Sequence, residues 1–108
     1  MTYEKEIQED ILRLQFQGDL IGENNGPELV EIATGALNDG ITKCYLDISE
    51  VRYINSSGIG VLITLLTKFR NKGGELYLIN PSENVSKLLV MTKLQSIFNI
   101  VASEQEIS

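Results

Sequence analysis

The stretch Cys44-Tyr45-Leu46-Asp47-Ile48-Ser49-Glu50-Val51-Arg52-Tyr53-Ile54-Asn55-Ser56-Ser57-Gly58-Ile59-Gly60-Val61 decides how this chain is read. It begins as an apolar strand-like run, crosses a short polar loop and enters a long apolar helical pattern that reaches Phe69. A buried strand that feeds a helix is the opening of a parallel crossover. Two serines, Ser56 and Ser57, stand at the loop-to-helix junction. Backbone N–H groups point outward at such a junction and negative charge is favoured there. A phosphate attached at this place would be tolerated by the fold and obvious to a partner. The stretch reads as a switch rather than a catalyst.

The same logic extends outward. Residues 2–8 alternate apolar with polar around Tyr3, Lys5 and Ile7, which predicts a first strand. Glu9-Asp10 is a turn. Leu12, Leu14 and Phe16 then point one way, with Arg13, Gln15 and Gln17 the other, as in a half-buried strand. Gly22 to Pro27 reads as a loop that starts a helix, with Asn25 or Gly26 as cap and Pro27 at the first helical position. Leu29, Ile32, Ala33, Ala36 and Leu37 share one helical face, and Gly40 ends that helix. A third strand is predicted over 42–48 and a helix from about 58 to 72. Residues 75–79 form a fourth strand. Asn80-Pro81-Ser82-Glu83 reads as a cap, a first-position proline and a capping-box acid. Val85, Leu88 and Leu89 make the stripe of the helix that follows. Residues 96–101 form a last strand, and Ser103 to Glu106 a terminal turn. The expected fold is α/β: a single domain over residues 1–108, with a mixed, mostly parallel sheet of about four to five strands and helices packed on it.

Composition narrows the function. The formal net charge is −6 and the sequence pI is near 4.5, which argues against nonspecific nucleic-acid binding. The halves differ: residues 1–50 carry −8 and residues 51–108 carry +2. The single cysteine, Cys44, excludes a disulfide within the chain and suits a reducing, cytoplasmic setting. No apolar run approaches the roughly 18 residues of a membrane span. The residues from Met1 to Glu6 lack the basic-then-apolar order of a signal peptide.

The chemistry of catalysis is missing. There is no histidine, so Ser-His-Asp and Cys-His sites are excluded, as is any histidine-ligated metal. Gly58 and Gly60 do not form G-x-G-x-x-G, and no Gly-Lys-Ser/Thr follows. Asp47 and Glu50 at a strand end are read as solvated loop charges rather than a cation site. A phosphoaspartate receiver would need an acidic pair after the first strand and a lysine after the last. Glu9-Asp10 sits in a hairpin turn and Ala102-Ser103 follows the last strand, so that geometry does not assemble. No enzyme activity, cofactor or metal is expected.

The segment Leu46 to Val61 resembles the signature of STAS domains, named for sulfate transporters and anti-sigma-factor antagonists. The resemblance continues through Leu14-Gln15-Phe16-Gln17-Gly18-Asp19-Leu20, Lys72-Gly73-Gly74-Glu75-Leu76, Asn80-Pro81 and the late segment with Met91, Leu94 and Ile97. It implies a stand-alone bacterial anti-sigma-factor antagonist. In such proteins the first serine of D-S-[ST]-G is phosphorylated by an ATP-dependent anti-sigma factor, and that position is Ser56 here. The unmodified form binds the anti-sigma factor and frees sigma; the phosphorylated form does not bind. A metal-dependent serine phosphatase resets it. This chain departs from the pattern at Asn55, where the family usually has aspartate. It departs again at Leu20-Ile21-Gly22, in a loop that borders the family's partner surface.

On this reading Ser56 is the phosphoacceptor, and Asn55, Ser57 and Gly58 form the switch loop. Taken by itself Ser56 also reads as a plain helix cap, or Ser57 caps while Ser56 stays exposed. Gly58 is expected to keep the turn open for a kinase, and Gly60 to pack on a neighbouring strand. The helix from Ile59 to Phe69 is apolar nearly all round, which means either an exposed docking patch or burial on two sides. Ile59, Ile63 and Leu66, with Leu20 and Ile21, are the expected partner contacts. Two alternatives stand beside this one: a STAS module of a stress-signalling assembly or transporter that is never phosphorylated, and a small nucleotide-binding protein.

Overall fold

The computed structural model describes residues 2–107, and every side chain among them except that of Glu23. Met1 and Ser108 of the expected domain lie outside the described residues. The elements run β1 (Thr2–Gln8), β2 (Ile11–Gln17), α1 (Gly22–Asn38), β3 (Lys43–Glu50), α2 (Ser56–Asn71), β4 (Glu75–Ile79), α3 (Glu83–Met91) and β5 (Asn99–Val101). Short 3-10 turns at Leu94–Ser96 and Glu104–Glu106 flank the last strand.

The five strands lie in the order β1-β2-β3-β4-β5, with β1 antiparallel to β2 and every other pair parallel. Glu9 and Asp10 close the hairpin in a two-residue turn, both with left-handed φ (54° and 65°), which matches the twist of the flanking strands. Each later strand is added on the same side of its predecessor. Right-handed crossovers therefore stack the helices on one face of the sheet.

The alternation in the strands decides which face that is. Leu12, Leu14 and Phe16 of β2, Cys44, Leu46 and Ile48 of β3, and Leu76 and Leu78 of β4 join Leu29 and Ala33 of α1, Leu62, Leu65 and Phe69 of α2, and Val85 and Leu89 of α3 in one buried cluster. The opposite face is polar and aromatic. Glu6, Arg13, Tyr45, Tyr77 and Asn99 are aligned in register across all five strands. The Tyr45 and Tyr77 rings meet edge to face at 5.5 Å, and the Arg13 guanidinium lies 5.5 Å from the centre of the Tyr45 ring. Arg13 Nε donates to Glu104 at 2.6 Å, which fastens the C-terminal turn over this face.

The helix at α2 settles the two readings of its apolar surface in favour of burial on two sides. Leu62, Leu65, Leu66 and Phe69 are buried, while Ile59, Val61 and Ile63 are half-buried against the same core. α2 lies against both α1 and β4, so one apolar stripe would not suffice. Its outward positions are Ser56, Gly60, Thr64 and Thr67. At its far end Arg70 donates to Glu75 at 3.1 Å and to the Ile97 carbonyl at 2.9 Å, so this cation joins elements rather than only solvating the helix terminus.

Four local expectations are corrected. α1 starts at Gly22 and carries Pro27 inside it, because Asn24 and Asn25 N–H groups already donate to the Ile21 carbonyl and Gly26 packs on Val61. α3 is capped by Ser82, whose Oγ accepts the Val85 N–H at 3.3 Å and donates to the Val51 carbonyl at 2.9 Å, so Pro81 precedes the helix. β5 is shorter than expected, because the chain spends residues 94–96 in a 3-10 turn entered through Lys93 in a left-handed conformation (φ 62°). The two glycines of α2 exchange roles. A Cβ on Gly58 would sit 2.7 Å from the Leu20 carbonyl oxygen and 2.8 Å from Ile54 Cγ2, whereas one on Gly60 would meet nothing.

Two outcomes are expected. Gly58→Ala forces the Leu20 strand end away and lowers unfolding free energy by about 1–3 kcal/mol, while Gly60→Ala raises it by up to about 1 kcal/mol; urea unfolding of the two variants measures both. Cys44 is 1% exposed and burial pushes its thiol well above the ordinary range. It should react with a thiol reagent at pH 8 only as fast as the domain opens, and at once when denatured.

Candidate functional site

The parallel pairing of β2 with β3 brings two strand-to-helix connections side by side. Gly18 leaves β2 in a left-handed conformation (φ 91°), and its N–H donates to the Glu50 carbonyl at 3.3 Å. The chains then run in parallel for one more step. Leu20 N–H donates to the Tyr53 carbonyl at 2.9 Å, Asn55 N–H donates to the Leu20 carbonyl at 3.3 Å, and Leu20 forms a bridge with Ile54. Beyond this bridge each chain turns directly into a helix. The amino ends of α1 and α2 are consequently neighbours at the carboxyl edge of the sheet, the edge where α/β folds present their sites.

Asn55 is the residue that joins them. It is the N-cap of α2, with extended backbone (φ −85°, ψ 176°). Its Oδ1 accepts the Gly58 N–H at 2.7 Å and also the Gly22 N–H of α1 at 3.1 Å. Its own carbonyl accepts the Ile59 N–H at 3.0 Å. A cap of this kind contributes about 1 kcal/mol. Gly22 lies directly against the Ser57 backbone, and any Cβ there would collide with the Ser57 carbonyl group. The cap expected of Ser56 or Ser57 is thus supplied by Asn55. An asparagine before the first helical residue has the right length to reach the third N–H of the helix.

Ser56 is the first residue of α2 and is exposed; Ser57 is half-buried and Gly58 buried. The expected switch loop is therefore one continuous object: cap, exposed hydroxyl, half-buried serine and a glycine fixed by packing. The expected partner contacts are not all on the surface. Leu20 is 0% exposed and Leu66 is 3% exposed, so both are core residues and present no docking surface. Ile21, Ile59 and Ile63 retain partial exposure.

Tyr53, in the loop before Ser56, was not singled out by the sequence and is 55% exposed; on α3, Val90 (56%) and Met91 (79%) are exposed as well. Tyr53, Leu88 and Met91 line a groove of about 590 Å³ between the loop before Ser56 and α3, with Asp19, Arg52 and Lys87 at its polar margins. The available signal was Val90-Met91, which falls off the Val85/Leu89 stripe. Asp47, weighed as a cation ligand, has its Oδ1 engaged by Ser49 N–H at 3.0 Å and Ser49 Oγ at 2.7 Å. Among the described residues no group of three or more histidine, cysteine or acidic side chains could hold a metal ion, and no helix is long and apolar enough to cross a membrane.

Known proteins resemble this chain in sequence and in fold. The anti-sigma-B factor antagonist of Staphylococcus aureus is 28% identical over 74 residues, 68% of each chain. The crystal structure of a Thermotoga maritima protein provisionally named an anti-sigma factor antagonist superposes with a TM-score of 0.86 at 28% identity, over 96% of this chain and 89% of that one. SpoIIAA of Bacillus in its phosphorylated form gives a TM-score of 0.76 at 19% identity, over 97% of this chain and 95% of that one, a likeness of fold. The family model for the STAS domain matches residues 2–107, essentially the whole fold built above. The chain belongs to the STAS domain family.

Proposed function

We propose that this protein is an anti-sigma-factor antagonist of the partner-switching kind. Unmodified, it binds an anti-sigma factor that is also a serine kinase. Phosphorylation of Ser56 ends that binding, and a metal-dependent serine phosphatase restores it. The protein acts by binding, not catalysis, in the cytoplasm where sigma factors work. The name of the Staphylococcus aureus relative supports the class of partner.

One observation carries the reading: Ser56 is exposed at the first position of α2 while everything beneath it is fixed. Asn55 holds the cap, Gly58 is locked against Leu20, and Leu62 and Leu65 below are fully buried. A dianion at Ser56 changes the surface without changing the core. The helix end tolerates it, since first-turn N–H groups and the helix dipole favour negative charge. A partner surface that fits the hydroxyl is met by about −1.5 to −2 charges and their hydration shell. Phosphoryl transfer forms the bond from Ser56 Oγ to the terminal phosphorus of the nucleoside triphosphate. The bond from that phosphorus to the bridging oxygen breaks, the nucleoside diphosphate leaves, and the hydroxyl proton passes to a base of the kinase. The docking face consists of Ser56, the half-exposed Ile21, Ile59 and Ile63, and the adjoining groove at Tyr53 and Met91.

Titration of the cognate kinase-type anti-sigma factor with full-length variants measures the gate. Ser56→Ala should bind as the parent does and Ser56→Asp about tenfold or more weaker, a change of about 1.4 kcal/mol or above. Both should unfold at nearly the parent's denaturant midpoint. Equal affinity of the two variants would sink the proposal. Tyr53→Ala and Met91→Ala should each weaken the same complex with stability unchanged, since neither side chain contributes to the core.

A further inference from the structure

A single side-chain oxygen reaches the amino ends of two helices. Asn55 Oδ1 accepts from Gly58 in the first turn of α2 and from Gly22, the first residue of α1. Gly22 lies against the Ser57 backbone, so the two helix ends are in direct contact. Each end carries about half a positive charge from its aligned peptide dipoles. The group that bridges them is an amide, which offers an acceptor oxygen and brings no charge of its own. Ser56 follows it directly and is exposed.

We propose that Asn55 is a positioning residue whose neutrality sets how readily the chain carries a phosphoryl group on Ser56. This deepens the reading of Ser56 as the modified residue and rests on it. With an amide at 55, the partial positive charge of both helix ends remains available to the dianion. A carboxylate at 55 would accept the same two N–H groups more strongly and stabilise the unmodified chain. It would also place a full negative charge beside the phosphate. The two charges also repel in the unfolded chain, where they can swing apart; the folded turn fixes them together, so the repulsion there is larger. The identity of residue 55 thus divides the chain's stability between its two forms: an amide favours the phosphorylated form, a carboxylate the unmodified one.

The test needs neither kinase nor partner. Full-length chains are made with serine or with translationally incorporated phosphoserine at position 56, each combined with Asn55, Asn55→Asp and Asn55→Ala, and unfolded in urea at pH 7.5. In the serine chains Asn55→Asp should raise the midpoint and Asn55→Ala lower it. Phosphoserine should leave the Asn55 chain as stable as before or more so. In the Asn55→Asp chain it should lower the folded-to-unfolded ratio by a few-fold relative to its effect in the Asn55 chain. That difference should shrink in 1 M salt, and again at pH 5, where the phosphate sheds its second charge. A staple that acts by geometry alone would show the same phosphoserine effect in both backgrounds, at every salt and pH, and that result would overturn the proposal. The Ser56 gate stands or falls separately: a phosphoserine chain that binds the anti-sigma factor as tightly as the serine chain would refute the gate, whatever the urea coupling.

Discussion

The parallel alignment of β2 with β3, carried one step past the strands to the bridge between Leu20 and Ile54, is the constraint on which the site depends. Parallel strands leave the sheet in the same direction, so their following helices begin on the same edge. The Leu20 carbonyl receives the Asn55 N–H and also limits residue 58 to glycine. Asn55 Oδ1 then satisfies N–H groups that each helix leaves without an intrahelical acceptor. One edge of the sheet thereby becomes a hydrogen-bonded platform that displays the exposed Ser56 hydroxyl.

The sheet divides labour between its faces. The apolar face binds three helices into one core, and α2, which carries Ser56, is buried on two sides. The other face carries a row running from Glu6 through Arg13, Tyr45 and Tyr77 to Asn99, with the C-terminal turn fastened to Arg13 through Glu104. A charge placed at the first residue of α2 touches neither system. This separation is what would let the proposed modification of Ser56 alter association while the fold persists. Proteins place function where a rigid scaffold displays it.

The two glycines of α2 illustrate how a motif hides its physics. Gly58 and Gly60 look alike in sequence, two residues apart in a helix that follows an exposed serine. Gly58 faces the Leu20 strand end and has no room for a methyl group, while Gly60 faces open space. A helix turns about 100° per residue, so residues two apart lie on nearly opposite sides. Which side meets a neighbour is decided by a chain segment some 38 positions away.

The order of strands and helices, the hairpin at Glu9-Asp10, the core residues of β2 and β3 and the exposed position of Ser56 were all legible in the sequence. They follow from local rules: alternation in strands, a helical repeat of apolar residues, and polar residues at helix starts. The motif around Ser56 carried the family resemblance as well. What the sequence could not yield were relations between distant segments. Leu20 and Leu66 read as candidate surface and are core, because burial depends on which element packs over them. Asn55 read as a departure from a pattern, and only the meeting of α1 with α2 made it a bridge between helices. Periodicity along a chain determines what each segment prefers to bury. Only tertiary packing, which brings Gly22 to Asn55 and Gly58 to Leu20, decides which atoms those segments share.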